Sequence, residues 1–159
     1  MTWDGFFTAE VGAAAALTGL IFVGISINLK RVLALPMVAN RALQSLLILI
    51  GALGILSLLL VPDQSNFLAG VEVIGVTFAM LAVLNGIEVR SWRSIEPKWR
   101  RVLAQHTLEI QVPSVFFLVG GVLLAGGLPA ALNWFVPATL MSFLIGFIEA
   151  WVITVEILR

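Results

Sequence analysis

Cysteine and tyrosine are absent from the 159 residues, histidine occurs once, and only 11% of the chain is charged. Without cysteine there are no disulfides, thiolate metal sites or thiol nucleophiles. One histidine and no tyrosine leave few groups for acid–base catalysis. The charge deficit excludes more. A soluble domain carries roughly 25% charged residues, because its whole surface must be solvated. A water-soluble globule, a disordered chain and a nucleic-acid binder with a broad basic face are therefore ruled out. What is present is apolar: 60% hydrophobic residues and a mean hydropathy of +1.09. The composition is that of an integral membrane protein whose first partner is the lipid bilayer.

A hydrocarbon core of about 30 Å takes roughly 17–25 helical residues to cross. Five apolar stretches meet or approach that length: Phe6–Leu29, Asn40–Val61, Phe67–Val89, Leu108–Leu128 and Trp134–Leu158. The first is not a cleaved signal peptide, since it lacks a basic leader and its apolar run is too long. Pro62 cannot continue the second helix, Ser65 or Asn66 can cap the third, and Asp4 and Asn133 can cap the first and fifth. The expected fold is one all-α domain, an integral membrane bundle of five transmembrane helices over residues 1–159.

The basic residues test that count. Lys30, Arg31, Arg41, Arg90, Arg93, Lys98, Arg100, Arg101 and Arg159 fall in the first loop, the third loop and the C-terminus. Five spans put all nine on one side, which four or six would not, and the positive-inside rule makes that side cytoplasmic. The N-terminus is then outside and the C-terminus inside. Trp3 and Trp134 mark the outer interface, Trp92 and Trp99 the inner. The third loop interleaves cations with tryptophans and reads first as a topogenic anchor, with contact to anionic lipid or a partner as the second reading. The first loop, residues 32–39, is too apolar to be solvated and should lie in the interface or pack on protein.

Helices associate in lipid through close packing and polar contacts. On the first helix Gly12, Gly19 and Ser26 recur every seven residues as a smooth stripe, with Glu10 and Asn28 on the opposite face. A helix needing neighbours on two sides is central to the bundle or shared between subunits. Gly51, Gly54, Gly120, Gly121, Gly126 and Gly127 read as further packing surfaces.

Ionisable groups within a membrane are costly and mark function by default. Glu149 is the deepest, and Ser142, Glu149 and Glu156 line one face of the last helix. Its carboxyl should be turned from lipid toward another helix or a wet cavity, where desolvation favours protonation. Glu109 precedes Pro113 by four, so its carbonyl loses a hydrogen-bond donor at a kink, although its polar surroundings favour a headgroup position. Asn85, Glu88, His106 and Glu156 gather at inner helix ends. Glu88 and Glu156 are expected to snorkel beside Arg90 and Arg159. Glu10 and Glu72 can meet near the outer ends.

His106 and Glu109 share one side of a helix, but carboxylate-bridged metal bundles use two Glu-x-x-His pairs. Here there is one, in reverse order, so no metal and no cofactor are expected. Nor is there a nucleophile elbow, a zincin motif or a phosphate loop, which argues against an enzyme.

The stretch from Trp3-Asp-Gly-Phe-Phe-Thr-Ala-Glu10 to Asn28-Leu29, together with the Pro62-Asp-Gln64 turn, resembles a group of uncharacterised small bacterial multi-span proteins. The resemblance implies the bacterial inner membrane and carries over no site residue. Two functional expectations follow. One is a homo-oligomeric channel or carrier for a cation or proton, with Glu149, Glu109, Ser142, Glu156, Asn85 and His106 as pathway candidates. An oligomer enters because five helices leave little room for a path inside one protomer. The other is a non-transporting subunit or regulator packed against a larger membrane protein.

Overall fold

The structure is a computed structural model that describes residues 3–94 and 100–158, apart from the side chains of residues 36, 93, 94, 102 and 156–158. Its helices are α1 (Trp3–Ile27), α2 (Leu29–Ala34), α3 (Pro36–Leu58), α4 (Asn66–Ser94), α5 (Arg100–Ala125) and α6 (Phe135–Leu158), with a 3₁₀ turn at Pro129–Trp134. Among the described residues there is no strand, and five helices are long and apolar enough to cross a membrane.

The five spans stand where the hydropathy puts them, but their ends differ. The fourth begins at Arg100 rather than Leu108, which brings Gln105, His106 and Thr107 into helix. Arg100, Arg101, Gln105, Glu109 and Gln111 of that stretch are good helix formers, and nothing before Pro113 interrupts them. Even Pro113 sits within continuous helix. The apolar first loop forms α2 and buries Val32 against Val38, Ala42 and Ile153. Ser65 accepts the Leu68 amide as a cap of α4. Asp4 lies in the first turn of α1 rather than before it, where a carboxylate complements the helix dipole. The 3₁₀ turn leads straight into α6, so Asn133 does not cap that span from a loop.

Helices α3, α4, α5 and α6 form a ring, each packed on the next, and α1 lies outside it against α3 and the edge of α6. Only 6% of the apolar window of α1 is buried, against 33–44% in the other four spans. The expectation of a central first helix is therefore corrected: within one protomer α1 is peripheral. It packs through Phe7 and Ala14. Gly12, Gly19 and Ser26 are exposed, and a Cβ on either glycine would touch nothing. Large residues on the other face have more surface to bury than a stripe without side chains.

Close backbone approach occurs instead between α4 and α5. A Cβ on Gly70 would collide with the backbone of Ala125 and lie 2.6 Å from the Gly121 carbonyl oxygen. Gly120 leaves space for the Phe135 ring. That ring packs edge-on against Phe7 and tilted against Phe117, with centroids 6.2 and 6.3 Å apart. This end of the bundle carries Trp3, Asp4, Asn66 and Leu128 around a cleft of 420 Å³. The opposite end carries the α1–α2 turn and the α4 and α5 termini. Lys30, Arg31, Arg90, Arg100 and Arg101 lie there, so it is called the basic end below.

Candidate functional site: a four-helix polar layer

One layer of the ring, near the basic end, is polar on all four helices. Its members are Arg41 and Gln44 on α3, Glu88 on α4, His106 and Thr107 on α5, and Glu149 on α6. His106 lies six residues, or about 9 Å of helix, from the start of α5. Arg41 and Gln44 point inward because they continue, at i, i+3 and i+7, the face that carries buried Ile48.

Glu149 receives a two-pronged contact from Arg41, with Nε at 2.6 Å from Oε2 and Nη2 at 2.9 Å from Oε1. Such a fork is the strongest arrangement available to a carboxylate. Glu88 accepts from the Gln44 amide through Oε1 and from the Thr107 hydroxyl at 2.8 Å through Oε2. His106 stands between the two acids, with Nδ1 3.4 Å from Glu88 Oε1 and Nε2 3.3 Å from Glu149 Oε1. The second contact is close but not aligned, so buried Nε2 has no hydrogen-bond partner. An imidazole can donate from both nitrogens only when doubly protonated. Glu88, His106 and Glu149 are 3%, 9% and 3% exposed, whereas the Arg41 side chain keeps 31%. The layer thus meets its surroundings through Arg41 and half-buried Thr107.

Directly beyond it, toward the opposite end, lies an apolar seal. Ile48, Leu84, Ile110 and Ile145 each stand one helical turn, four residues, from Gln44, Glu88, His106 and Glu149, and they cluster together with Met80. Farther on, Thr77, Thr139 and Ser142 bond carbonyls of their own helices. Ser114 Oγ is buried without a partner.

Of the sequence candidates, Glu149 and His106 belong to the layer, and Glu149 faces other helices as expected. It is held by a guanidinium rather than standing alone. Ser142 shares its buried face but lies two turns away and bonds the Ala138 carbonyl of its own helix. Asn85 is exposed and accepts from Gln111 at 2.9 Å on the outer flank of α4 and α5. Glu109 is exposed, contrary to the side shared with His106, because Ile110 occupies the inward position one turn on. The Glu156 side chain, Lys98, Trp99 and Arg159 lie outside the described residues. Glu88 does not snorkel: it and Arg90 are two positions apart, about 200° around the helix, and Glu88 turns inward. Arg41 is not a loop cation, since α3 starts five residues before it. Glu72 accepts from Gln64 at 2.6 Å rather than meeting Glu10.

No match to a family model, a curated protein or a solved structure is found. Among the described residues no group of three or more acidic or imidazole side chains is arranged around a common metal position. Arg41 already engages both oxygens of Glu149.

Proposed function

We propose that this chain is a proton-handling carrier of the bacterial inner membrane, working as a homo-oligomer with its basic end in the cytoplasm. The observation that carries the reading is the charge sum of the buried layer. The layer holds two carboxylates and one guanidinium, which grips Glu149, so the charge of Glu88 is balanced only when a proton resides on His106 or on Glu88 itself. His106 lies within 3.4 Å of both acids. A proton on it neutralises the layer, and its departure leaves a net charge in a medium where charge is expensive. Proton binding and helix arrangement are thereby coupled. Arg41, which is partly exposed, gives access from the basic end, and the seal of Ile48, Leu84, Ile110 and Ile145 suits a carrier better than an open channel. The unfilled Gly12 and Gly19 surfaces support contact between copies. No covalent chemistry enters this reading.

Proteoliposomes loaded with a pH-sensitive dye and driven by a potassium diffusion potential test it. Wild type should acidify or alkalinise the lumen according to the sign of the potential, and His106→Gln and Glu149→Gln should abolish the flux. Wild-type vesicles that match empty ones under both signs would sink the proposal. A second reading, a non-transporting subunit of a larger membrane assembly, is favoured by one observation. Both Glu149 oxygens are already satisfied by Arg41, as in a structural clasp. Under that reading Arg41→Gln weakens assembly with the partner, and no variant moves protons.

A further inference from the structure

A groove of 220 Å³ runs between α1 and α6 on the half of the molecule nearer the basic end. Its α1 wall is one helical face, from Leu17 through Ile21 and Gly24 to Asn28, and Phe147 and Ile153 stand on its α6 wall. Nothing lies within 4 Å of a Cβ built on Gly24, so the floor is open. The polar atoms at its rim are already engaged within their own helices. Asn28 Nδ2 donates to the Gly24 carbonyl at 3.1 Å and Thr154 Oγ1 to the Ala150 carbonyl at 2.9 Å. The groove therefore offers mainly hydrocarbon contact. From Leu17 to Asn28 it follows about 16 Å of helix, the scale of an acyl chain within one leaflet.

Lys30 and Arg31 follow the last residue of α1, Ile27, by three and four positions. Both are exposed, and neither has an ion-pair partner among the described residues. No acidic residue occurs between Glu10 and Asp63, so nothing on α2, on α3 or on α1 beyond Glu10 offsets these two cations. An apolar groove whose end at Asn28 is followed, two and three residues on, by a pair of exposed cations is complementary to an anionic amphiphile. We infer that the α1–α6 groove is a binding site for an anionic phospholipid, its acyl chain along Gly24 and its phosphate headgroup on Lys30 and Arg31. The inference is independent of proton transport. It assigns the two cations a specific ligand rather than the diffuse attraction that any cytoplasmic loop exerts.

The test is lipid retention by the full-length protein, read by native mass spectrometry after purification from mixed phosphatidylglycerol and phosphatidylcholine micelles. Wild type should retain phosphatidylglycerol preferentially, one molecule per protomer. A cation near an anionic surface contributes about a fivefold preference. Lys30→Gln with Arg31→Gln should therefore lower the preference about 25-fold, while exposed residues leave folding unchanged. Arg100→Gln with Arg101→Gln removes equal charge at the same end but away from the groove, and should leave the preference intact. Gly24→Phe fills the floor and should reduce retention of both lipids alike. Equal retention of the two lipids by wild type overturns the inference. So does an equal loss of preference in the Arg100/Arg101 control, which would make the effect one of bulk charge. A stable dimer that Gly24→Phe dissociates, with lipid retention unchanged, would give the groove to a second copy instead.

Discussion

The two halves of this bundle are held by different forces. At the end that carries Trp3, Phe7, Phe117 and Phe135 the ring is filled by aromatic and aliphatic side chains, with Gly70, Gly120 and Gly121 letting backbone and rings approach. At the basic end the same four helices meet through Arg41, Gln44, Glu88, His106 and Glu149. Apolar packing tolerates gradual change, since each contact is small and many contribute. A buried ionic layer does not: its members depend on one another, and removing one leaves another charged and unpartnered. The apolar half is therefore suited to hold shape, and the polar half to respond to a proton.

Substitutions at Phe135 and Glu149 set the halves against each other most strongly. Phe135→Ala should cost about 3–5 kcal/mol through the cavity it leaves, read as a lowered thermal midpoint in detergent, with proton flux falling only in proportion to folded protein. Glu149→Leu should cost roughly 2–4 kcal/mol, somewhat below the range for a fully buried pair because Arg41 is partly exposed, and should abolish flux in whatever protein remains folded. If Glu149→Leu leaves the midpoint unchanged, the ionic layer does not hold the helices together.

The double variant Arg41→Met, Glu149→Leu sharpens the contrast. Replacing both partners of a buried pair by apolar residues is often neutral or stabilising, and His106 and Glu88 then remain as a balanced pair. Thermal stability should recover most of what Glu149→Leu alone loses, while flux stays absent. A double variant as unstable as the sum of its singles would show that Arg41 and Glu149 act independently.

Smaller effects belong to the glycines. Gly70→Ala forces a methyl group onto the Ala125 and Gly121 backbone and should cost about 1–3 kcal/mol, measured as loss of thermal stability. Gly19→Leu should change the stability of an isolated protomer by less than about 0.5 kcal/mol, because open space surrounds it. The same variant measured in a bilayer reports whether another copy covers the stripe. Dissociation of an oligomer there, with protomer stability intact, is the outcome expected of a shared surface.

Glu149 was legible because a lone carboxylate in a long apolar run is visible to hydropathy alone. Glu88 was misread because proximity in sequence to Arg90 suggests a shared interface, although two positions along a helix put side chains on nearly opposite faces. Arg41 was counted among the loop cations because it stands one residue inside the span that hydropathy assigns. The spacing of Arg41, Gln44 and Ile48 was the available signal that it continues an interior face. Glu109 was drawn toward His106 by a three-residue spacing that leaves about 60° between them, enough for Ile110 to take the inward place.

Composition and the periodic apolar runs alone determined that this is an all-α chain with five helices able to span a membrane, and that Lys30, Arg31, Arg90, Arg100 and Arg101 gather at one end. Both follow from local chemistry: chain length per hydrocarbon thickness, and the cost of moving cations through it. Which helix stands outside, which glycines meet backbone, and which carboxylate meets which cation were decided only by the tertiary structure. Arg41 and Glu149 are separated by 108 positions, and whether they face each other depends on how four helices are rotated in the ring. That rotation minimises the energy of all their contacts at once, so no single segment contains it.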